Sequence, residues 1–268
     1  MELCSSICRY CVTWQFNSIA IKKKVNPSFV ESRVHRRFGL RRVERMISTI
    51  LMDIDDTLLD FDLCAKWAMD EAAKKMKLIL PQNTYDHFKK INASLWKQME
   101  KKEITSDEIY CVRWEKVSLA VGVSLDGKEF EKHFLAYLSK SAIQVEGALE
   151  LLEYLSGKYK IYAASNGPFE QQVQRMKLAG MDNYLSGYFV SEKIGHSKPT
   201  KEFFAVCCKE ICAADLSEII MIGDSLSADI KGADNYGIKT CWFDKESKGT
   251  ENPADYTVDH LLEIKAFL

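Results

Sequence analysis

Short runs of apolar, β-branched residues alternate with longer amphipathic stretches from Met46 to the end of the chain. This alternation is typical of parallel β-strands joined by helices that cover the sheet. It predicts an α/β fold with a Rossmann-like parallel sheet. The predicted strands are residues 47–52, 160–164, 187–190, 218–222 and 239–243, with a weaker candidate at 256–258.

The stretch between the first two strands has a different pattern, because no strand is predicted there for about eighty residues. Thr105 and Glu108 form the capping-box pattern of a helix start. Four helices are predicted, at residues 62–76, 82–101, 105–120 and 126–139. We therefore expect a core made of residues 46–60 and 143–268, with a helical cap of residues 61–142 inserted after the first strand.

Residues 1–45 differ from the rest of the chain in charge and in hydrophobic pattern. They contain 10 Lys or Arg and 3 acidic residues, whereas residues 46–268 contain 27 and 35. They show no apolar periodicity that would join a core, so we expect a basic extension outside it. An organelle-targeting segment, a disordered or partly helical arm, and a stretch translated upstream of a true start at Met46 all remain open.

Charge, apolar content and cysteine usage exclude several classes of protein. The acidic body has no clustered Lys and Arg to neutralise a polyphosphate backbone, so no nucleic-acid polymer is expected as a partner. No window holds the 18 or so apolar residues of a membrane span. Most of the six cysteines after residue 46 stand among apolar residues, which is typical of free thiols in a reducing compartment. We expect a cytoplasmic protein, and the sequence indicates no oligomeric state.

Three cysteines near the start, Cys4, Cys8 and Cys11, follow the spacing Cys-x3-Cys-x2-Cys. This spacing resembles the cluster-binding loop of radical S-adenosylmethionine enzymes, in which three thiolates ligate an iron-sulfur cluster. In that family the loop follows the first strand of a barrel, and no strand is predicted before Cys4. An iron-sulfur protein is therefore a remote alternative, and a colourless protein after anaerobic purification would remove it.

Acidic residues directly follow the first predicted strand, in the order Asp53-Ile54-Asp55-Asp56-Thr57. Two carboxylates at positions i and i+2 of a tight loop can face one pocket, where one attacks an electrophile and the other moves a proton. An acidic cluster after a strand is also a common cap or turn. This motif alone therefore does not define a site.

Three further groups of polar residues lie at or near the ends of later strands. Ser165-Asn166-Gly167 offers a hydroxyl and backbone amides to an oxyanion or a phosphate. Lys198 precedes Pro199, which suits the first turn of a helix predicted at residues 200–212. Gly223-Asp224 closes the fourth strand, and Asp229 follows a turn later; carboxylates in this number suit Mg²⁺. Because ligands bind at the carboxyl ends of parallel strands, these groups are candidates for one site.

Taken in order, the motifs Asp-x-Asp-x-Thr, Ser-Asn-Gly, Lys-Pro and Gly-Asp-Ser-x4-Asp resemble those of the haloacid dehalogenase superfamily. The resemblance spans Met46 to Leu268 and implies that superfamily's core, with a cap between its first and second motifs. It implies Asp53 as a nucleophile that forms an aspartyl-phosphate, and Asp55 as the general acid and base. Asp55 is the residue that phosphatases of the superfamily carry and its dehalogenases lack.

The same resemblance implies a cofactor, Mg²⁺, and a small phosphorylated substrate as the partner. The implied metal ligands are Asp53, the backbone carbonyl of Asp55, and Asp224. The implied phosphate-binding residues are Ser165, Asn166 and Lys198. The supporting residues are Thr57, Gly223 and Asp229, the last of which orients Lys198 or a metal-bound water.

Three sequence segments, which are less specific than the four motifs, resemble the pyrimidine 5'-nucleotidase branch, which acts on nucleoside monophosphates. They are residues 189–199, 240–243 and 95–106. The resemblance implies a Mg²⁺-dependent phosphate-monoester hydrolase, in particular a 5'-nucleotidase. A phosphatase for a small sugar or glycolate phosphate is the alternative, and a non-enzymatic binding protein is a remote one. Cap aromatics can stack on a base, although aromatics at helical spacing more often pack between helices. The candidates are Phe61, Trp67, Trp96 and Trp114.

Overall fold

The computed structural model describes residues 46–268, and the predictions for residues 1–45, including Cys4, Cys8 and Cys11, lie outside the described residues. The described residues form one parallel sheet with the strand order β3-β2-β1-β4-β5-β6. The predicted α/β fold with a Rossmann-like sheet is confirmed. The strands are β1 (Thr49–Met52), β2 (Lys160–Ser165), β3 (Gly187–Val190), β4 (Ile219–Gly223), β5 (Lys239–Phe243) and β6 (Tyr256–Val258).

Both faces of the sheet are covered, because successive residues of a strand point to opposite sides. In β1, Ile50 and Met52 pack into one hydrophobic cluster with helix α5 (Ala148–Ser156). Leu51 packs into another cluster, with helix α8 (Lys201–Glu210). All four β1 residues are buried, and three of them, Ile50, Leu51 and Met52, form a continuous apolar run.

Short helical segments join the other strands. They are α6 (Phe169–Leu178), α7 (Ser191–Ile194), α9 (Gly232–Tyr236), a π-helical turn (Leu226–Lys231) and 3₁₀ turns at Asp182–Tyr184, Leu216–Glu218 and Leu261–Ala266. One boundary differs from the prediction. Thr200 is the N-cap of α8, since its side chain accepts a hydrogen bond from the Phe203 amide. Pro199 therefore lies before the helix and not in its first turn.

Four helices occupy the stretch between β1 and β2, within two residues of the predicted bounds. They are α1 (Phe61–Lys75), α2 (Thr84–Glu100), α3 (Ser106–Val121) and α4 (Gly127–Leu138). The capping box predicted at the start of α3 is present: the Glu108 amide donates to Thr105 Oγ1 at 3.2 Å, and the Thr105 amide donates to Glu108 Oε2 at 2.7 Å.

These four helices enclose an aromatic cluster of their own. The Trp114 ring lies 4.9 Å from Phe88, 4.3 Å from Phe130 and 5.1 Å from Phe134, measured between ring centroids. Trp114 is therefore a packing residue, and the more common interpretation of an aromatic at helical spacing holds for it. Trp67 is 39% exposed and packs edge-on against Tyr137.

Cysteine burial partly matches the expectation from the sequence. All six described cysteines are free, and four are buried: Cys64, Cys207, Cys208 and Cys241. Cys111 and Cys212 are exposed. The cytoplasmic location stays a prediction.

Within residues 46–268, no helix combines the length and the apolar character needed to cross a bilayer.

Candidate active site

The candidate site lies where the strand order reverses. The chain runs from β1 outward through β2 to β3, and then returns to place β4 on the other side of β1. In open α/β sheets, ligands bind at such a reversal, beyond the carboxyl ends of the strands. Asp53 directly follows β1 and Asp224 directly follows β4, and the Asp53 amide donates to the Ile222 carbonyl at 2.9 Å. The two carboxylates are thus fixed side by side.

A cavity of about 330 Å³ opens at this position. One wall comes from the loops after β1, β2 and β4 and from Lys198, between α7 and α8, and contains almost every predicted site residue. The opposite wall comes from α1 and α2, and includes two of the four candidate aromatics, Phe61 and Trp96. On the sheet side the cavity is lined by Asp53, Asp55, Asp56, Ser165, Asn166, Lys198, Asp224, Ser225, Ser227, Ala228 and Asp229.

Three carboxylates surround one ammonium group at the bottom of the cavity. Oxygen atoms of Asp53, Asp224 and Asp229 lie within 4.8 Å of one another. Lys198 Nζ donates to Asp53 Oδ1, to Asp229 Oδ1 and to the Ala164 carbonyl, each at 2.6 Å. Lys198 is 2% exposed, so these bonds are shielded from water. We call these four charged residues the acidic cluster.

Burial dominates the electrostatics of the acidic cluster. It raises the pKa of Asp53 to about 8, although the Lys198 ammonium acts in the opposite direction. Burial and the charges of Asp53 and Asp229 raise the pKa of Asp224 well above its ordinary value. Burial alone would lower the pKa of Lys198, but Asp229 and Asp53 outweigh it and raise the pKa. Three acidic side chains thus share the Lys198 ammonium in a poorly solvated place. The uncompensated negative charge favours the binding of a second cation.

Two supporting residues predicted from the sequence have clear contacts here. Gly223 has no room for a side chain, because a Cβ atom would lie 2.3 Å from Asp229 Oδ2. Thr57 is buried, and its hydroxyl donates to Asp224 Oδ1 at 3.5 Å. Asp229 contacts Lys198, which is one of the two roles left open for it, and its other oxygen accepts from the Ser225 amide at 3.0 Å.

The side chain of Asn166 holds the loop that carries Lys198. Its Nδ2 donates to the Lys198 carbonyl at 2.8 Å, and its Oδ1 accepts from the Lys198 amide at 2.9 Å. Ser165 Oγ accepts from Gln172 Nε2 at 2.8 Å. Both residues line the cavity, so their predicted role at the phosphate stays a prediction. Asn166 in addition positions the Lys198 backbone.

Asp55 has two partners that the sequence did not reveal. Arg175 Nη1 donates to Asp55 Oδ1 at 2.5 Å, and Gln172 Nε2 donates to Asp55 Oδ2 at 2.7 Å. Arg175 is fully buried, and its Nε donates to the Ser141 carbonyl at 3.1 Å. Gln172 and Arg175 are three residues apart on α6, the helix that follows Ser165-Asn166-Gly167. Residues at this spacing share one face of a helix, so the spacing was the feature of the sequence that could have indicated both as neighbours of the site.

Removing the Arg175 guanidinium is expected to destabilise the fold. Arg175→Met leaves the buried Ser141 carbonyl without its Arg175 donor, while Asp55, which is 29% exposed, keeps its hydrogen bond from Gln172. The free energy of unfolding should therefore fall by about 1–3 kcal/mol. Urea denaturation followed by tryptophan fluorescence measures this loss. Lys177→Met is the matched control, since Lys177 lies on the same helix and is exposed. Equal stability of the two variants would contradict a structural role for the Arg175–Asp55 pair.

The wall formed by α1 and α2 also carries paired polar groups. Asp62 accepts from the Tyr85 hydroxyl at 2.9 Å and from Lys89 Nζ at 2.5 Å. These contacts leave the aromatic ring of Tyr85 at the cavity surface, together with Phe61 and Trp96.

The family of the chain follows from comparison with known proteins. Residues 47–237 match the family model described as haloacid dehalogenase-like hydrolase. The match covers more than half of the chain, so the protein belongs to this family of hydrolases. The superfamily and the hydrolytic activity predicted from the sequence are thereby confirmed.

The chain is similar in sequence to two curated relatives and in structure to one solved protein. Pyrimidine 5'-nucleotidase PynA of Streptococcus pneumoniae is 33% identical over 195 residues, which are 72% of this chain and 82% of that protein. HAD-hydrolase YfnB of Bacillus subtilis is 31% identical over 200 residues, 75% of this chain and 85% of that protein. A crystal structure of YfnB bound to magnesium has a TM-score of 0.78 at 29% identity, and covers 83% of this chain and 98% of that one.

Proposed function

We propose that this protein is a Mg²⁺-dependent 5'-nucleotidase that hydrolyses pyrimidine nucleoside monophosphates. The observation that carries the proposal is the acidic cluster at the bottom of a cavity whose opposite wall is aromatic. The family and the nucleotidase relatives support a phosphoric monoester hydrolase as the enzyme class. A pyrimidine substrate is supported by the PynA relative.

The proposed reaction has two halves. Asp53 attacks phosphorus and forms an aspartyl-phosphate while the bond from phosphorus to the ester oxygen breaks; its Oδ1 is bound to Lys198, which leaves Oδ2 for the attack. Asp55 gives its proton to the departing oxygen. Asp55 then takes a proton from water as that water attacks phosphorus, which releases phosphate and restores Asp53.

The residues present fit a divalent cation. Carboxylate oxygens are the ligands that Mg²⁺ prefers, and three of them converge here around the Lys198 ammonium. Asp53 and Asp224 are the ligands we propose, together with the Asp55 carbonyl. Asp229 has both oxygens engaged, by Lys198 and by the Ser225 amide. When bound, Mg²⁺ would reduce the repulsion between the Asp53 carboxylate and an anionic phosphate.

We propose that residues 61–142 act as a cap that determines which ester enters. Their helices pack around hydrophobic clusters of their own, and α1 and α2 supply the wall opposite the acidic cluster. Substrate groups beyond the phosphate would contact this wall, so specificity would depend on cap residues and catalysis on core residues.

The function is tested by phosphate release from a panel of esters with Mg²⁺, using the full chain. We expect faster turnover of UMP, dUMP and TMP than of AMP, ribose 5-phosphate or phosphoglycolate. Faster turnover of a sugar phosphate or of phosphoglycolate would show that the proposed substrate class is wrong and would leave the proposed reaction mechanism unchanged. No release from any ester would reject an enzymatic role.

Removal of divalent ions is expected to stop turnover. EDTA treatment followed by gel filtration should abolish phosphate release, and added Mg²⁺ should restore it, since the buried carboxylates repel an anionic substrate without a cation. Asp224→Asn should raise the Mg²⁺ concentration that gives half-maximal rate by about tenfold or more. Full activity of the metal-free protein in EDTA would contradict the metal assignment.

A further inference from the structure

A hydrogen-bond donor on the α2 wall of the cavity has no partner within residues 46–268. It is the side-chain amide nitrogen of Asn92, a residue that is 7% exposed. Phe88 lies four residues before Asn92 and Trp96 lies four residues after it, so the three side chains share one face of α2. All three line the cavity opposite the acidic cluster.

Arg113 determines which end of the Asn92 amide faces the cavity. Its Nη1 lies 2.8 Å from Asn92 Oδ1, and a guanidinium can only donate, so the atom it contacts must be the oxygen. Nδ2 is then the free end. Asn92 Nδ2 is not among the fully enclosed side-chain nitrogens that lack a hydrogen bond within the described residues. It is therefore open to the cavity.

Arg113 is itself held rigidly. It is 2% exposed and donates twice to Glu131, from Nε to Oε2 at 3.1 Å and from Nη2 to Oε1 at 2.5 Å. Its guanidinium lies 5.5 Å from the Phe88 ring centroid and 5.0 Å from that of Phe134. A buried ion pair is costly to desolvate, and such a pair behind a polar side chain fixes that side chain's orientation. Arg113 and Glu131 are thus positioning residues for Asn92.

The chemistry of this wall fits a flat ring that carries a carbonyl oxygen. Asn92 supplies a neutral donor, and Trp96 supplies a flat face on which a base can stack. Tyr85 and Lys89, on the same helix, are already paired with Asp62. The cavity of about 330 Å³ is within the usual range for a small-molecule site, about 300–1,000 Å³.

We propose that Asn92 Nδ2 donates a hydrogen bond to a ring carbonyl oxygen of the pyrimidine base, and that the Arg113–Glu131 pair holds the amide in the donating orientation. This inference rests on the proposed nucleotidase function. It makes Asn92 a specificity residue that acts on the base, at the opposite wall from the groups that act on the phosphate.

The test uses the isosteric variant Asn92→Asp. Its Oδ1 still accepts from Arg113, while an acceptor replaces the donor at Nδ2. We expect kcat/KM for UMP to fall at least about tenfold, mostly through KM, because a site built for one hydrogen bond rejects a mismatched partner. For ribose 5-phosphate, which has no base, kcat/KM should stay within about twofold. Asn83→Asp is the control, since Asn83 is exposed at the start of the same helix. This variant should leave kcat/KM unchanged for both substrates.

A second measurement uses the unaltered enzyme and does not depend on the variant's folding. The substrates are 2-thiouridine and 4-thiouridine 5'-monophosphate, in which sulfur, a weaker acceptor, replaces one carbonyl oxygen. We expect one of the two to lose about fivefold or more in kcat/KM relative to UMP.

The outcomes separate this inference from the proposed function. UMP turnover that is insensitive to Asn92→Asp, or an equal loss on UMP and ribose 5-phosphate, overturns the role of Asn92 and leaves the nucleotidase function intact. Equal turnover of UMP and both thio analogues likewise overturns the role of Asn92 and leaves the nucleotidase function intact. A wild-type enzyme that hydrolyses sugar phosphates but no nucleotide overturns both.

Discussion

Asp53→Asn is expected to reduce kcat by about 10⁴-fold or more, because it removes the proposed nucleophile of the first half-reaction. The amide is a poor nucleophile, yet it has almost the same size and its oxygen can still accept from Lys198. Three carboxylates surround one ammonium, so the loss of one negative charge should leave the free energy of unfolding unchanged or higher. Steady-state phosphate release from UMP and urea denaturation measure the two quantities.

The matched control for this variant is Asp70→Asn, the same substitution at an exposed position of α1. Its kcat should equal that of the unaltered protein within about twofold. If Asp53→Asn retained turnover within about tenfold of wild type, the aspartyl-phosphate route would be wrong, and a water activated directly by the cluster would replace it.

The strands were predictable because burial on both faces makes a central strand a continuous apolar run. Ile50, Leu51 and Met52 face alternate sides of the sheet and are all fully buried, so no polar residue interrupts them. The start of α3 was predictable from local chemistry, since the Thr105 and Glu108 side chains satisfy backbone amides within their own turn. Both signals are local.

The position of the acidic cluster was predictable because the carboxyl ends of neighbouring strands meet at one edge of the sheet. Asp53 and Asp224 are far apart in sequence, but each directly follows a strand, and the strands are neighbours in the sheet. A motif at a strand end therefore carries information about its place in three dimensions.

The two buried arginines that contact groups at the cavity were not predictable in the same way. Arg113 and Arg175 lie within helices, where a charged residue normally marks an exposed face, yet both are buried. Each has a charged or polar partner from another helix or loop: Glu131 and Asn92 for Arg113, and Asp55 for Arg175. Only the packing of α2, α3 and α4 brings the first set together, and a single sequence does not contain that geometry.

Lys198→Met is expected to have the second largest effect, on both stability and activity. It removes the ammonium that contacts both Asp53 and Asp229, and within residues 46–268 no other cation is paired with these buried carboxylates. Loss of one partner from a buried ion pair costs about 3–5 kcal/mol, so the free energy of unfolding should fall by that amount. Urea denaturation in EDTA measures it, because no divalent ion can then replace the ammonium. Phosphate release should also be lost.

A double variant distinguishes charge from packing as the cause. In Lys198→Met/Asp229→Asn one uncompensated charge is removed along with the ammonium, so the loss of stability should be smaller than in Lys198→Met alone. Lys201→Met, at an exposed position three residues away, is the control for the change of side chain. If the double variant were less stable than the single one, lost packing around Lys198 would explain the destabilisation. The acidic cluster would then not depend on its ammonium.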